Sequence, residues 1–285
     1  MKHAALLLLV ACQSALDQRL AIVREPRVLA IVSTPAEAKP GAAVAYALVA
    51  AGPDGPLGDA PAWSLCLAPK PPTEDDAVSA SCTSDPSALV ALGTAASVAT
   101  AIPATSCMLF GPDVPPGGFR PRDPDPTGGF YQPVRADVPG ADLAFGFSRI
   151  TCNLADAPPD VAHDYQTMYV ANQNPTLAVD APSDVAAGDA VTLTASWPAD
   201  SAELYLYYDQ TSQTLVTRRE SMRVSWFATA GALPVDATAV DENDPTTSVQ
   251  TTWTAPSAPG VAWLWFVLRD ARGGIATAQV AVTVH

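Results

Sequence analysis

Several stretches of the chain alternate apolar residues with small or polar ones, which is the period of a strand with one buried face. Val44, Tyr46 and Leu48 do so after Gly41, and Val191, Leu193 and Ala195 do so after Gly188. Leu143, Phe145 and Phe147 form a third such run, and Trp263, Trp265 and Val267 a fourth. The last is Ala276, Ala278, Val280, Val282 and Val284. Proline and glycine punctuate these runs, as turn residues do between strands.

The runs recur in order. Leu29-Ala30-Ile31, Pro35, Gly41, Val44, Tyr46 and Leu48 match Leu177-Ala178-Val179, Pro182, Gly188, Val191, Leu193 and Ala195, with equal Pro-to-Gly and Gly-to-Val spacing. Pro139-Gly140, Leu143, Phe145, Phe147 and Arg149 match Pro259-Gly260, Trp263, Trp265, Val267 and Arg269 without a gap. Each unit is therefore expected to open with a strand, a proline-to-glycine turn and a second strand, and to close with a Pro-Gly turn and a long alternating strand. The boundary falls near Asn172-Gln173-Asn174-Pro175, which divides the chain into units 27–172 and 173–285. The first unit is expected to close with a strand over Gln166–Ala171.

This paired pattern of short strands, regular turns and one apolar face per strand resembles tandem bacterial immunoglobulin-like domains of envelope proteins. The resemblance covers about residues 27–285 and implies an all-β chain of two immunoglobulin-like β-sandwiches. The first carries a long insertion, about residues 68–130, rich in proline and glycine; within it Ser87–Ala101 is apolar enough for a short helix or strand. Cys82 and Cys107 lie in that insertion with Cys66 at its edge, and Cys152 follows later; the four are an even number that reads as two disulfides in an oxidising compartment. Three connectivities are open. The favoured one makes Cys66–Cys82 a local bridge and Cys107–Cys152 a clamp on the insertion. Zinc is disfavoured, because no CxxC pair occurs and the spacings are wide.

The first residues carry an address. Lys2 and His3 precede the apolar run Ala4–Ala11, too short for a bilayer span of about 20 residues but long enough for the core of an export signal. Leu9-Val10-Ala11-Cys12 resembles the lipobox of bacterial lipoproteins. That resemblance implies removal of a signal peptide, residues 1–11, and acylation of Cys12, with palmitate among the chains. Residues 12–26 would then be a lipidated tether. Gln13 rather than aspartate after the cysteine favours the outer membrane by the enterobacterial sorting rule. Together with Trp226-Phe227-Ala228-Thr229-Ala230-Gly231 and Arg269-Asp270-Ala271-Arg272-Gly273-Gly274, the chain resembles lipoproteins of myxobacteria and their relatives, a likeness that implies no activity.

Charge narrows the partners. Removing residues 1–11 leaves 14 basic against 29 acidic side chains. Nucleic-acid binding rests on cationic side chains neutralising phosphates, so this balance argues against it. It equally argues against electrostatic docking on anionic lipid.

Candidate chemistry is sparse. No G-x-S-x-G elbow occurs, and His163, between Asp160 and Asp164, reads as a loop histidine. Asp236, Asp241, Glu242 and Asp244 form a candidate calcium loop, since hard cations take several converging oxygens; Asp123-Pro124-Asp125 is a weaker one. Among the tryptophans, Trp63 stands where such sandwiches bury an aromatic, and Trp263 and Trp265 read as sandwich core. Trp253 and Trp197 stand at strand ends, freer to face outward. Tyr205 and Tyr207 share one face, a candidate recognition surface, with Tyr208 on the other. Arg269–Gly274 reads as a hairpin turn, with Asp270 bonding the turn backbone and Arg269 pairing with a neighbouring acid.

The resulting expectation is a lipid-anchored cell-envelope protein, not an enzyme, with a structural or protein-interaction role and no cofactor. Its partners would be the membrane, through lipid on Cys12, and an envelope protein. The alternative is a ligand-binding lipoprotein, for glycan or calcium, using the insertion or the 236–245 loop.

Overall fold

The structure, a computed structural model, describes residues 20–71, 74, 77–112 and 125–285. Nineteen strands occur among the described residues. The first nine are β1 (Arg27–Thr34), β2 (Glu37–Ala38), β3 (Ala43–Gly52), β4 (Gly55–Pro56), β5 (Ala62–Cys66), β6 (Leu89–Thr94), β7 (Ser97–Ala101), β8 (Gly129–Asp137) and β9 (Ala144–Thr151). One sheet centres on β3, flanked by β1 and β7 with β4 at its end; the other runs β2-β9-β8-β5-β6. Short helices α1 (Ser81–Ser84) and α2 (Ser106–Phe110) interrupt this set, and α3 (Pro159–Met168) follows it.

The remaining strands are β10 (Ala178–Asp180), β11 (Asp184–Val185), β12 (Ala190–Ser196), β13 (Leu204–Asp209), β14 (Thr214–Arg219), β15 (Met222–Ala228), β16 (Ala237–Val240), β17 (Ser248–Thr254), β18 (Gly260–Asp270) and β19 (Ile275–Val284). They form the sheets β10-β12-β17 and β11-β19-β18-β15-β16, with β13-β14 as a separate hairpin. The two halves thus share one strand order, β1-β3-β7 matching β10-β12-β17 and each facing a five-stranded sheet, with the short β4 added in the first half. In each, the short strand after the proline crosses to the second sheet and pairs in parallel with the last long strand, β2 with β9 and β11 with β19. The chain is all-β, and both halves are immunoglobulin-like sandwiches.

The first sequence repeat coincides with this equivalence, because β1 and β3 stand where β10 and β12 do. The second does not. By pairing, β9 takes the place of β19 and β8 that of β18, so the matched runs 143–149 and 263–269 lie at different positions. A Pro-Gly turn before an alternating strand is common to any hairpin, which is why the match misled.

Two further expectations are corrected. Residues 68–130 are not one insertion: β6 and β7 belong to the sandwich and divide it into a β5–β6 loop and a β7–β8 loop. Cys66–Cys82 closes the first loop, and Cys107–Cys152 ties α2 in the second to the residue after β9. No strand closes the first half at 166–171. Pro159–Met168 is helical, with proline at its first position and Asp160 in its first turn, both favourable there.

Each sandwich buries its own core. Tyr46, Trp63, Leu65, Val134 and Ile150 fill the first; Leu193, Trp226, Trp253, Leu264 and Phe266 fill the second. Trp63 on β5 and Trp226 on β15 occupy the same place in the shared strand order. A third cluster lies between the halves, where Val23, Leu29, Ala30 and Ala51 pack on Trp265 and Val267. Strand β18 is consequently buried on both faces from Leu264 to Leu268. Trp265 and Val267, expected inside the second sandwich, bind it to the first.

The N-terminal segment joins the same seam. Ala21 and Val23 are buried, Ile22 pairs in parallel with Ala228, and Val23 N donates to Ala228 O at 2.8 Å. Residues expected to hang as a tether up to residue 26 are therefore seated on the second sandwich from Ala21 onward.

Candidate functional site at the junction of the sandwiches

The sequence-derived candidates do not assemble into one site. Cys12 and Asp123 lie outside the described residues. Asp236 accepts Trp226 N through its backbone oxygen, and Asp241 O accepts Asp244 N. Glu242 is held by the Tyr205 hydroxyl and by Arg218 at 3.0 Å, while Asp244 caps Thr246 N at 2.9 Å. The Glu242 carboxylate serves an ion pair and that of Asp244 a turn, while Asp236 and Asp241 are held through backbone oxygens. Among the described residues no three His, Cys, Asp or Glu side chains group as metal ligands.

The aromatic candidates are corrected as well. Trp253 faces inward, fully buried, its indole donating to Ala230 O at 3.0 Å. Trp197 is buried too. Tyr205 is 6% exposed and lies under Arg272, whose guanidinium carbon is 5.3 Å from the ring centre. Tyr207 is half-buried with Arg218 stacked 3.4 Å above it. Tyr208, on the other face, packs with Leu154 and Tyr165, which presses the β13-β14 hairpin onto α3. His163 is an exposed residue of α3.

What the structure does bring together is a buried polar network that sequence reasoning missed. Glu37 on β2 is sealed from water beside Arg149 on β9, with Arg149 Nε 3.1 Å from its carboxylate. The same carboxylate accepts Tyr169 OH at 2.5 Å, Thr151 OH at 2.9 Å and Asn172 N at 2.9 Å. Arg149 spends Nη2 on Thr127 O at 2.8 Å and Nη1 on Tyr131 OH at 3.2 Å. Asn172 then carries the network across the junction, its side-chain amide donating to Asp270 at 3.3 Å.

On the far side Arg272 is the hub. Its Nε reaches Glu220 at 2.6 Å, its Nη2 Glu203 at 2.7 Å, and its Nη1 Val170 O at 3.1 Å. Asp270 accepts the backbone N–H groups of Arg272 and Gly274 at 2.9 and 2.8 Å. That is the turn-bonding role expected for Asp270. Arg269, by contrast, meets no acid among the described residues and donates Nη2 to Leu29 O at 2.9 Å.

The electrostatics follow from the head count. Glu37, Glu203, Glu220 and Asp270 face two buried guanidiniums, Arg149 and Arg272. Burial and the charge of Asp270 push the Glu220 carboxyl up to about 7, with Arg272 opposing. Burial likewise raises Asp270, and its backbone donors oppose. No local sequence signal marks these residues, because their partners lie far along the chain. The one available hint was charge inside apolar strands, as at Arg149 between Ser148 and Ile150.

A cleft of about 460 Å³ opens beside the network, between β1, β9 and the β18–β19 turn. Val28, Ile31, Phe145, Phe147 and Ile275 supply its apolar walls, and Tyr131, Arg269 and Asp270 its polar side chains. Chemically the junction can do two things: hold two sandwiches in one geometry, and offer an apolar cleft with a cationic edge.

Strand order therefore defines the chain as a pair of immunoglobulin-like sandwiches fused through a polar seam. No protein-family model matches it, and no curated protein matches it. Solved structures give distant likenesses only. Escherichia coli alpha-2-macroglobulin activated by porcine elastase is 12% identical over 92% of this chain, with a TM-score of 0.26, and the chain spans 22% of its length. The fibronectin(III)-like modules of Clostridium thermocellum CbhA are 10% identical over 91% of this chain and 93% of theirs, TM-score 0.24. The adhesin InvE of Yersinia pseudotuberculosis is 13% identical over 89% of this chain and 58% of its own, TM-score 0.23.

Proposed function

We propose that this chain is an exported protein anchored by lipid on Cys12 in the bacterial outer membrane, as the myxobacterial-type lipoproteins it resembles are expected to be. Its role is non-catalytic, structural or in protein interaction within the envelope. The observation that supports a mechanical role is the fusion of the two sandwiches: they share an apolar cluster and a buried ion network, so they move as one body. A spacer or docking module needs such a body, because a hinge would blur the geometry it presents. The seating of Ala21 and Val23 adds to this reading, since it shortens the link to Cys12. From Leu20 back to Cys12 is eight residues, a reach of at most about 28 Å.

The test is an intact mass of the protein extracted in detergent from its native membrane, with thiols alkylated before and after reduction. The expected mass begins at Cys12 and includes acyl chains, with four further thiols appearing only after reduction. An unlipidated mass, or fractionation of Cys12→Ser with the membrane as before, overturns the anchored reading.

A further inference from the structure

Two arginines at the junction stand apart from the buried network. Arg269 on β18 and Arg223 on β15 are directly opposite each other in the antiparallel register. Like charges so placed repel across a sheet. The Arg269 guanidinium gives one N–H to Leu29 O, and among the described residues neither arginine has a carboxylate partner. This occurs in a chain with 29 acidic and 15 basic side chains, where an acid could readily have been supplied. Arg149 and Arg272, a few strands away, are fully paired.

Arg269 also lines the cleft, whose walls are apolar or aromatic apart from it and Asp270. Asp270 contributes to the lining, but its carboxylate is held by the N–H groups of Arg272 and Gly274 and by Asn172. The cleft volume of about 460 Å³ lies in the range of small-molecule sites, about 300–1,000 Å³. A guanidinium with free N–H groups is a planar fork that matches a carboxylate, and apolar walls strengthen such a pair by excluding water.

We propose that this cleft binds a small carboxylate with an apolar body, its head on Arg269 and its hydrocarbon or single aromatic ring between Ile31, Phe145, Phe147 and Ile275. Arg223, opposite Arg269 in the strand register, adds a second positive charge beside it. The site goes beyond the structural role argued above and does not depend on lipid at Cys12.

Calorimetric titration of the full chain with octanoate, 1-octanol and acetate tests this. Octanoate is expected to saturate one site, with octanol and acetate each weaker by about tenfold or more, since each lacks one half of the recognition. Arg269→Gln is expected to lose about tenfold to a hundredfold in octanoate affinity. Ala77→Phe, at an exposed position of the cleft wall and with Arg269 kept, is expected to abolish binding with an unchanged circular dichroism spectrum. It also keeps the test valid should Arg269→Gln unfold. Octanoate that fails to saturate one site overturns the proposal. So does octanol binding as tightly as octanoate, or octanoate binding equally well to the folded variants.

Discussion

Arg272 and Glu220 form the shortest ion pair of the junction: guanidinium Nε and carboxylate Oε1 stand 2.6 Å apart, with the side chains 1% and 0% exposed. The pair makes stability depend on pH in an uncommon direction. The Glu220 carboxyl moves from its ordinary 4.5 up to about 7, so the folded chain holds a proton that the unfolded chain releases. Wherever the folded state binds more protons, stability falls as pH rises. The stabilisation is present below about 4.5 and is lost between there and about 7. Asp270 and Glu203 are raised as well and act in the same sense. Asp85, Asp209 and Asp244 are lowered from 3.8 and titrate below this window. Urea unfolding between pH 5 and 7.5 should show the free energy falling with pH, with a shallower slope in Glu220→Gln. A flat or rising profile in the native chain would contradict the network's charge balance.

On the first sandwich, Arg149→Ala should cost about 3–5 kcal/mol, the usual result of stranding one partner of a buried pair. Replacing both partners often restores stability elsewhere, but not here. Glu37 also accepts from Tyr169, Thr151 and Asn172, so Glu37→Leu with Arg149→Met leaves three donors unsatisfied at about 1–3 kcal/mol each. Equilibrium denaturation of the double variant should show no recovery over Arg149→Ala; full recovery would mean the network is dispensable.

Gly55 touches the seam from the other side. Its φ is +132°, and a Cβ there would lie 2.7 Å from Trp263 Nε1, a stiff indole. Gly41 also has a positive φ, +81°, yet faces open space. Gly41→Ala should therefore cost only its backbone strain, about 1–2 kcal/mol. Gly55→Ala adds overpacking of about 1–3 kcal/mol on top of comparable strain. Thermal or urea melts of the two variants measure the difference, and equal losses would place Trp263 away from this glycine.

The two disulfides should differ in worth. They close segments separated by 45 and 16 residues, and loop-closure entropy gives about 4 and about 3 kcal/mol respectively. Cys107→Ala with Cys152→Ala should thus destabilise more than Cys66→Ala with Cys82→Ala. The reverse order would mean that the local bridge around α1 carries enthalpic packing that closure entropy omits.

The strands were legible in sequence where one face meets solvent, as in β3, β12 and β19, because alternation then records burial. The proline-to-glycine repeat was legible because both halves turn their first strand from one sheet to the other at the same place. Trp265 was misassigned because β18 is buried twice over, and alternation cannot say which of two buried faces belongs to which core. Helix α3 was missed because its residues pack on the hairpin of the other half instead of showing a strong periodic stripe. The network was invisible for a related reason. Glu37 and Asn172, or Glu220 and Arg272, become neighbours only through tertiary pairing, so no window of sequence contains both.

The pairing of Ile22 with Ala228 also sets an order of events. About 200 residues must be made before the seat for Val23 exists. At about 5–20 residues per second, that is on the order of ten seconds or more of synthesis. The first sandwich can close its own core in that interval, yet Leu29, Ala30 and Ala51 stay uncovered until β18 arrives. The nascent first half is therefore born with an adhesive flank, and the second half acts as its cover.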